Sequence, residues 1–172
     1  HDAALSGHVQ ALQVLLEAGT TLEVADTHGT TPAHLAAMHG HAQVLQLLWE
    51  ARASLDAVAA DGTTPAHSAA MGGYAQVLQL LHERGVSLKI AEPSGANLTH
   101  LAAEYGHVQV LQLLVEVRAN FEATDIEGMV PAELAASAGH AEVLRVLRDA
   151  GASLDVASTD GRTPLHAAAC FG

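Results

Sequence analysis

Apolar residues along the chain gather into two kinds of block that alternate. One is short and rich in alanine, as in Pro32-Ala33-His34-Leu35-Ala36-Ala37, and the other is longer and rich in leucine, as in Val44-Leu45-Gln46-Leu47-Leu48. In the leucine block Val77, Leu78, Leu80 and Leu81 stand at i, i+1, i+3 and i+4, with Gln76 and Gln79 on the opposite side. That spacing predicts an amphipathic helix with a wide core-facing stripe. Ahead of the alanine block, Thr64-Pro65 offers a capping hydroxyl and a proline at the first helical position, where its missing N–H costs nothing. Gly73 closes this short helix, the second begins around Ala75 and ends at Gly85, and an extended turn runs from Val86 to Gly95. Glycine suits the left-handed turn that ends a helix. The pattern predicts an all-α chain of antiparallel helix pairs joined by extended turns.

The pairs recur in strict register. Gly29, Gly62, Gly95, Gly128 and Gly161 follow one another every 33 residues, and so do Gly7, Gly40, Gly73, Gly106 and Gly139. Thr31-Pro32-Ala33-His34 returns as Thr64-Pro65-Ala66-His67 and as Thr163-Pro164-Leu165-His166, each followed by paired alanines. The Gly40-His41 step and the Val-Leu-x-Leu-Leu helix return with the same period. In these motifs the whole chain resembles the ankyrin repeat family. The resemblance implies a solenoid of stacked helix pairs, with complete repeats at 28–60, 61–93, 94–126 and 127–159 and partial repeats at 1–27 and 160–172. Read this way, residues 1–172 are a single array, a fragment of a longer chain. One such pair cannot bury both its faces, so stability is shared between repeats and their interfaces.

Some copies depart from the pattern. Arg52 and Arg118 stand where Gly19, Gly85 and Gly151 close the second helix, and a non-glycine residue in the left-handed region costs about 1 kcal/mol. Asn97-Leu98 replaces Thr-Pro, and Asn still caps a helix. The capping role is preferred for Asn97 over the glycosylation acceptor that Asn97-Leu98-Thr99 spells. Val130 and Glu133 replace the capping Thr and the turn-bracing His, which marks 127–159 as the softest complete repeat.

Composition narrows the function. A net charge of -12 repels phosphate backbones and anionic membrane surfaces. No apolar run reaches transmembrane length, so nucleic acid and direct membrane insertion are both set aside. Cys170 is the sole cysteine, which fits a cytoplasmic or other reducing intracellular compartment. No phosphate loop, His-Glu-x-x-His or Gly-x-Ser-x-Gly occurs, so neither catalysis nor a cofactor is expected. The 12 histidines raise the question of a metal, but packed helices lie ~8–10 Å apart and zinc ligands must converge to about 2 Å from one ion. His34, His67, His100 and His166 are instead expected to brace turns, as the resemblance implies, and no metal site is expected even at His39-Gly40-His41 near His28.

What remains is a binding surface. Core positions of a repeat are fixed by packing, so positions that differ between copies mark the surface free to recognise something. They fall at the turn tips, at His28, Thr30, Asp61, Thr63, Ala96, Glu127, Met129 and Arg162, and at the short-helix ends, at Met38, His39, Met71, Glu104 and Tyr105. In the resembled family these two sets line a concave face. The expectation is a groove in which Met38 and Met71 stack, Tyr105 and Met129 continue the row, and Asp26, Asp61, Glu104 and Glu127 form an acidic border. Such a surface suits a protein or peptide of basic character, since Met and Tyr make good interface anchors. A non-catalytic adaptor or scaffold is the leading reading. A structural subunit of a large complex is the alternative, and the repeat part of a larger enzyme or channel is a weaker one. Trp49, the sole tryptophan, is a satellite contact at most.

Overall fold

The structure is a computed structural model that describes residues 1–171. Those residues are all-helical, with one isolated antiparallel bridge between Ala91 and Asn97. The chain divides into two compact units, His1–Ser87 and Leu88–Gly172.

The first unit holds α1 (Asp2–Leu5), α2 (Val9–Glu17), α3 (Pro32–Met38), α4 (Ala42–Glu50), α5 (Pro65–Gly72) and α6 (Ala75–Glu83). Short helices pack on short ones, α1 on α3 on α5, and long helices on long ones, α2 on α4 on α6. The second unit holds α7 (Leu98–Glu104), α8 (Val108–Glu116), α9 (Pro131–Ser137), α10 (Ala141–Asp149) and α11 (Pro164–Phe171), with α7, α9 and α11 in one row and α8 against α10. Among the described residues no helix is long and apolar enough to cross a membrane.

The helices start and stop where the sequence dictates. Pro32, Pro65, Pro131 and Pro164 each open a short helix. In α7 the Asn97 side chain accepts the amides of Thr99 at 2.9 Å and His100 at 3.2 Å, so the missing Thr-Pro is replaced by a working cap. Ala36, Ala37, Ala69 and Ala70 are fully buried, which lets neighbouring short helices approach closely. Beside them Leu45, Leu48, Leu78 and Leu81 are no more than 1% exposed and fill the space between the rows. Gln76 and Gln79 face solvent.

The imidazoles tie the repeats together in both directions. His34 Nδ1 accepts the Thr31 amide at 3.2 Å, and its Nε2 reaches the Thr63 carbonyl of the following repeat at 3.2 Å. His100 does the same with Asn97 and Met129. The histidine of the Gly-His step points the other way: His41 Nε2 lies 2.9 Å from the Leu5 carbonyl and His140 Nε2 lies 3.0 Å from the Glu104 carbonyl. The first set braces turns, as expected; the second does so without having been expected to.

Arg52 and Arg118 do take the left-handed backbone their positions require, with φ of 66° and 54°. At the turn tips the Ala60 amide donates to the His28 carbonyl at 2.8 Å. A Cβ on Gly29 would stand 2.8 Å from that same amide nitrogen, so only glycine permits the two tips to meet.

Candidate interaction surface

In the first unit the tips carry fixed carboxylates. Asp26 Oδ1 accepts the amides of His28 at 2.8 Å and Thr30 at 2.9 Å. Asp61 Oδ1 accepts the Thr63 amide at 2.9 Å and its hydroxyl at 2.7 Å. These bonds, the Thr30 amide above all for Asp26 and the Thr63 amide for Asp61, hold both carboxyls below the usual carboxylate range. Charge at the tips is therefore negative and locked in place. His28 and Asp61 are exposed, while Thr30 and Thr63 are half-buried with their backbones engaged.

Met38 and Met71 end α3 and α5 and are 42% and 36% exposed. His39 follows, its ring stacked on His41 with centroids 6.2 Å apart. His41 is committed to the Leu5 carbonyl. Among the described residues no group of three or more His, Cys, Asp or Glu side chains could hold a metal ion.

Sequence reasoning passed over Tyr74. It stands where the Gly-His step places His41, His107 and His140, and it is 37% exposed. Its ring lies over Gly40 and Gly72, so a Cβ at either glycine would come within 2.5 Å of a ring carbon. Gly72 replaces the bulkier His39 and Tyr105 of other copies, and the two changes compensate. The signal was present in the sequence as a paired departure, Gly72 with Tyr74, two residues apart.

In the second unit Tyr105 is 46% exposed, its ring stacked on His107 with centroids 6.3 Å apart. Glu104 and Glu127 are exposed at the side chain. Their carbonyls are engaged, by His140 Nε2 at 3.0 Å and by the Thr159 hydroxyl respectively. Asp125 Oδ1 accepts the Glu127 and Met129 amides, both at 2.9 Å, repeating the tip geometry of Asp26. Met129, Ala96 and Arg162 are only half-buried rather than open. Met129 is drawn in because its amide binds Asp125 and its carbonyl takes both Asp125 N–H and His100 Nε2. Asp160, held below the usual range chiefly by the Ser158 hydroxyl, closes the last tip by accepting the Arg162 amide at 3.1 Å.

One buried position of the short helices carries a titratable side chain that changes between copies. His34 and His100 are pushed down by burial, His67 to about 4. In the equivalent place of α9 stands Glu133, 3% exposed, with Oε1 3.2 Å from the Ser158 hydroxyl and Oε2 without a hydrogen-bond partner among the described residues.

A family model described as ankyrin repeats (three copies) matches residues 1–92 and 99–172. No curated protein matches the chain.

Proposed function

This chain belongs to the ankyrin repeat family, whose repeats are generally protein–protein interaction modules and typically non-catalytic, and on that premise we propose that it is a non-catalytic adaptor or scaffold. It takes a protein or peptide on the surface formed by its turn tips and short-helix ends, the face that is concave in the family, and residues 1–172 act as a single array. The observation that carries the reading is the exposure of Met38, Met71 and Tyr74 in a unit whose turn-tip carboxylates are held as anions. Methionine adapts to irregular partner surfaces, and aromatic side chains are enriched among the residues that dominate interface energetics. The carboxylates select a partner with basic groups near its apolar anchors. A net charge of -12 argues in the same direction and against nucleic acid.

The test is affinity capture with the whole chain against the variant Met38→Ala/Met71→Ala, read by quantitative mass spectrometry. The reading expects one or a few proteins captured by the wild type and lost from the variant, with the variant's melting temperature unchanged. Equal capture by both would refute it.

A further inference from the structure

Trp49 lies near the end of α4 and is 42% exposed. The equivalent positions in the adjoining copies are Leu16 and His82, so the fold itself has no need of an indole there. The Arg84 guanidinium sits over the ring, 4.2 Å from its centroid, and its Nη2 donates to Gln46 Oε1 at 2.7 Å. This clamp fixes the indole. Beside it opens a depression of about 390 Å³ lined by Trp49, Glu50, Arg52 and Ala53. Arg84 is not in that lining, so the depression meets a part of the indole that the guanidinium leaves uncovered.

Arg52 is the second observation. Its φ is 66°, where the corresponding Gly19 and Gly85 have 75° and 87°. Side chains disfavour this region, and residues held there gather at functional sites. Among the described residues the Arg52 side chain makes no hydrogen bond or ion pair that would offset the strain. Arg84 likewise faces a neutral amide rather than an acid. The one carboxyl in the lining, Glu50, accepts the Gln46 amide at 2.7 Å. Two cations without acidic partners thus flank a pinned indole in a chain whose net charge is -12.

We propose that this depression is a binding site separate from the tip surface, and that it takes an acidic peptide segment of a partner protein. A proline or aromatic ring of that segment lies on Trp49, and a carboxylate pairs with the Arg52 guanidinium. Guanidinium and carboxylate match in a two-point, charge-assisted fork, and tryptophan and arginine are the residues most enriched in interface hot spots.

The experiment pans a random heptapeptide display library on the whole chain, then titrates the enriched peptides while following Trp49 emission. Because Trp49 is the sole tryptophan, the signal comes from the site itself. The expected sequences carry Asp or Glu close to a proline or an aromatic residue, and those free of tryptophan, titrated with the indole selectively excited, shift the Trp49 emission. Arg52→Gly should weaken them by at least about tenfold, since it removes the whole two-point charge-assisted pair. That variant restores the residue of the adjoining copies, so its melting temperature should rise by about 2–4 °C, which separates lost binding from lost folding. Arg118→Gly, the other left-handed arginine and no part of this depression, should give a similar rise and unchanged binding. Enriched peptides without acidic residues, equal affinity for Arg52→Gly, or no enrichment beyond that seen on Arg52→Gly would each overturn the proposal.

Discussion

Replacing Val130 by Thr and Glu133 by His should stabilise the chain, although both positions are almost fully buried. Val130 stands at the N-cap of α9 and offers the helix no side-chain hydrogen bond. A hydroxyl there contributes about 1 kcal/mol. Glu133 is the larger defect. Its Oε2 is buried without a partner among the described residues, and its Oε1 relies on the Ser158 hydroxyl at 3.2 Å. That hydroxyl also lies 2.8 Å from Asp160 Oδ1 and 3.0 Å from the Arg162 carbonyl. One hydroxyl proton serves one acceptor well, so the carboxyl is poorly satisfied at both oxygens. A buried polar group left this way costs about 1–3 kcal/mol. An imidazole in its place would accept the N-cap amide through Nδ1, as His34 does at 3.2 Å, and donate forward through Nε2, as His100 does to Met129 at 3.1 Å. Together the two substitutions are worth about 3 kcal/mol, a rise of roughly 6–12 °C in melting temperature for a chain of this size. Hydrogen exchange read on α9 should slow in parallel. A melting temperature that falls or stays put, with exchange in α9 unaltered, would refute the reasoning.

Other outcomes follow from the same contacts. His67 is buried neutral with a folded-state pKa near 4 against an ordinary 6.5. The unfolded chain therefore binds the proton first, so stability is complete above about pH 6.5 and falls as the pH drops toward 4. The carboxylates of Asp26, Asp61 and Asp160, all lowered, withdraw their share only below their ordinary 3.8. Thermal melts across pH 7 to 4.5 check the histidine part, and a flat profile would contradict it. Gly72→Ala should cost about 1–3 kcal/mol by overpacking, because its Cβ would meet the Tyr74 ring at 2.5 Å. In a Tyr74→Ala background the penalty should shrink to what the Met38 carbonyl, 3.0 Å from the same Cβ, still imposes, and a double-mutant cycle by denaturant melts that returned no coupling would contradict the ring contact. Asn97→Ala removes the acceptor for the Thr99 and His100 amides and should cost about 1 kcal/mol, seen as a lower denaturant midpoint at unchanged slope.

Periodicity made the helix pairs readable, because a spacing of 33 residues kept through Gly29, Gly62, Gly95, Gly128 and Gly161 leaves one arrangement of apolar faces. Local chemistry was readable too: the Asn97 cap and the left-handed Arg52 and Arg118 follow from residue type at a fixed offset, while the bracing histidines came from the family resemblance. What escaped were the consequences that depend on side-chain direction across repeats. Met129 looks open in a list of variable positions, yet its backbone is taken by Asp125 and His100 and its side chain is drawn partly in. The Tyr74 ring over Gly40, the Ser158 hydroxyl beneath Glu133 and the Arg84 guanidinium on Trp49 each join residues separated by more than twenty positions. No spacing rule predicts them, because they depend on rotamers in the packed state.

Hydrogen exchange of the chain with and without a captured partner tests the binding surface most directly. Protection should rise at the turn tips around Asp26–Thr30 and Asp61–Thr63 and at the short-helix ends around Met38 and Met71. Protection confined to the glutamine-bearing outer sides of the long helices, at Gln43, Gln76 and Gln109, would contradict the account.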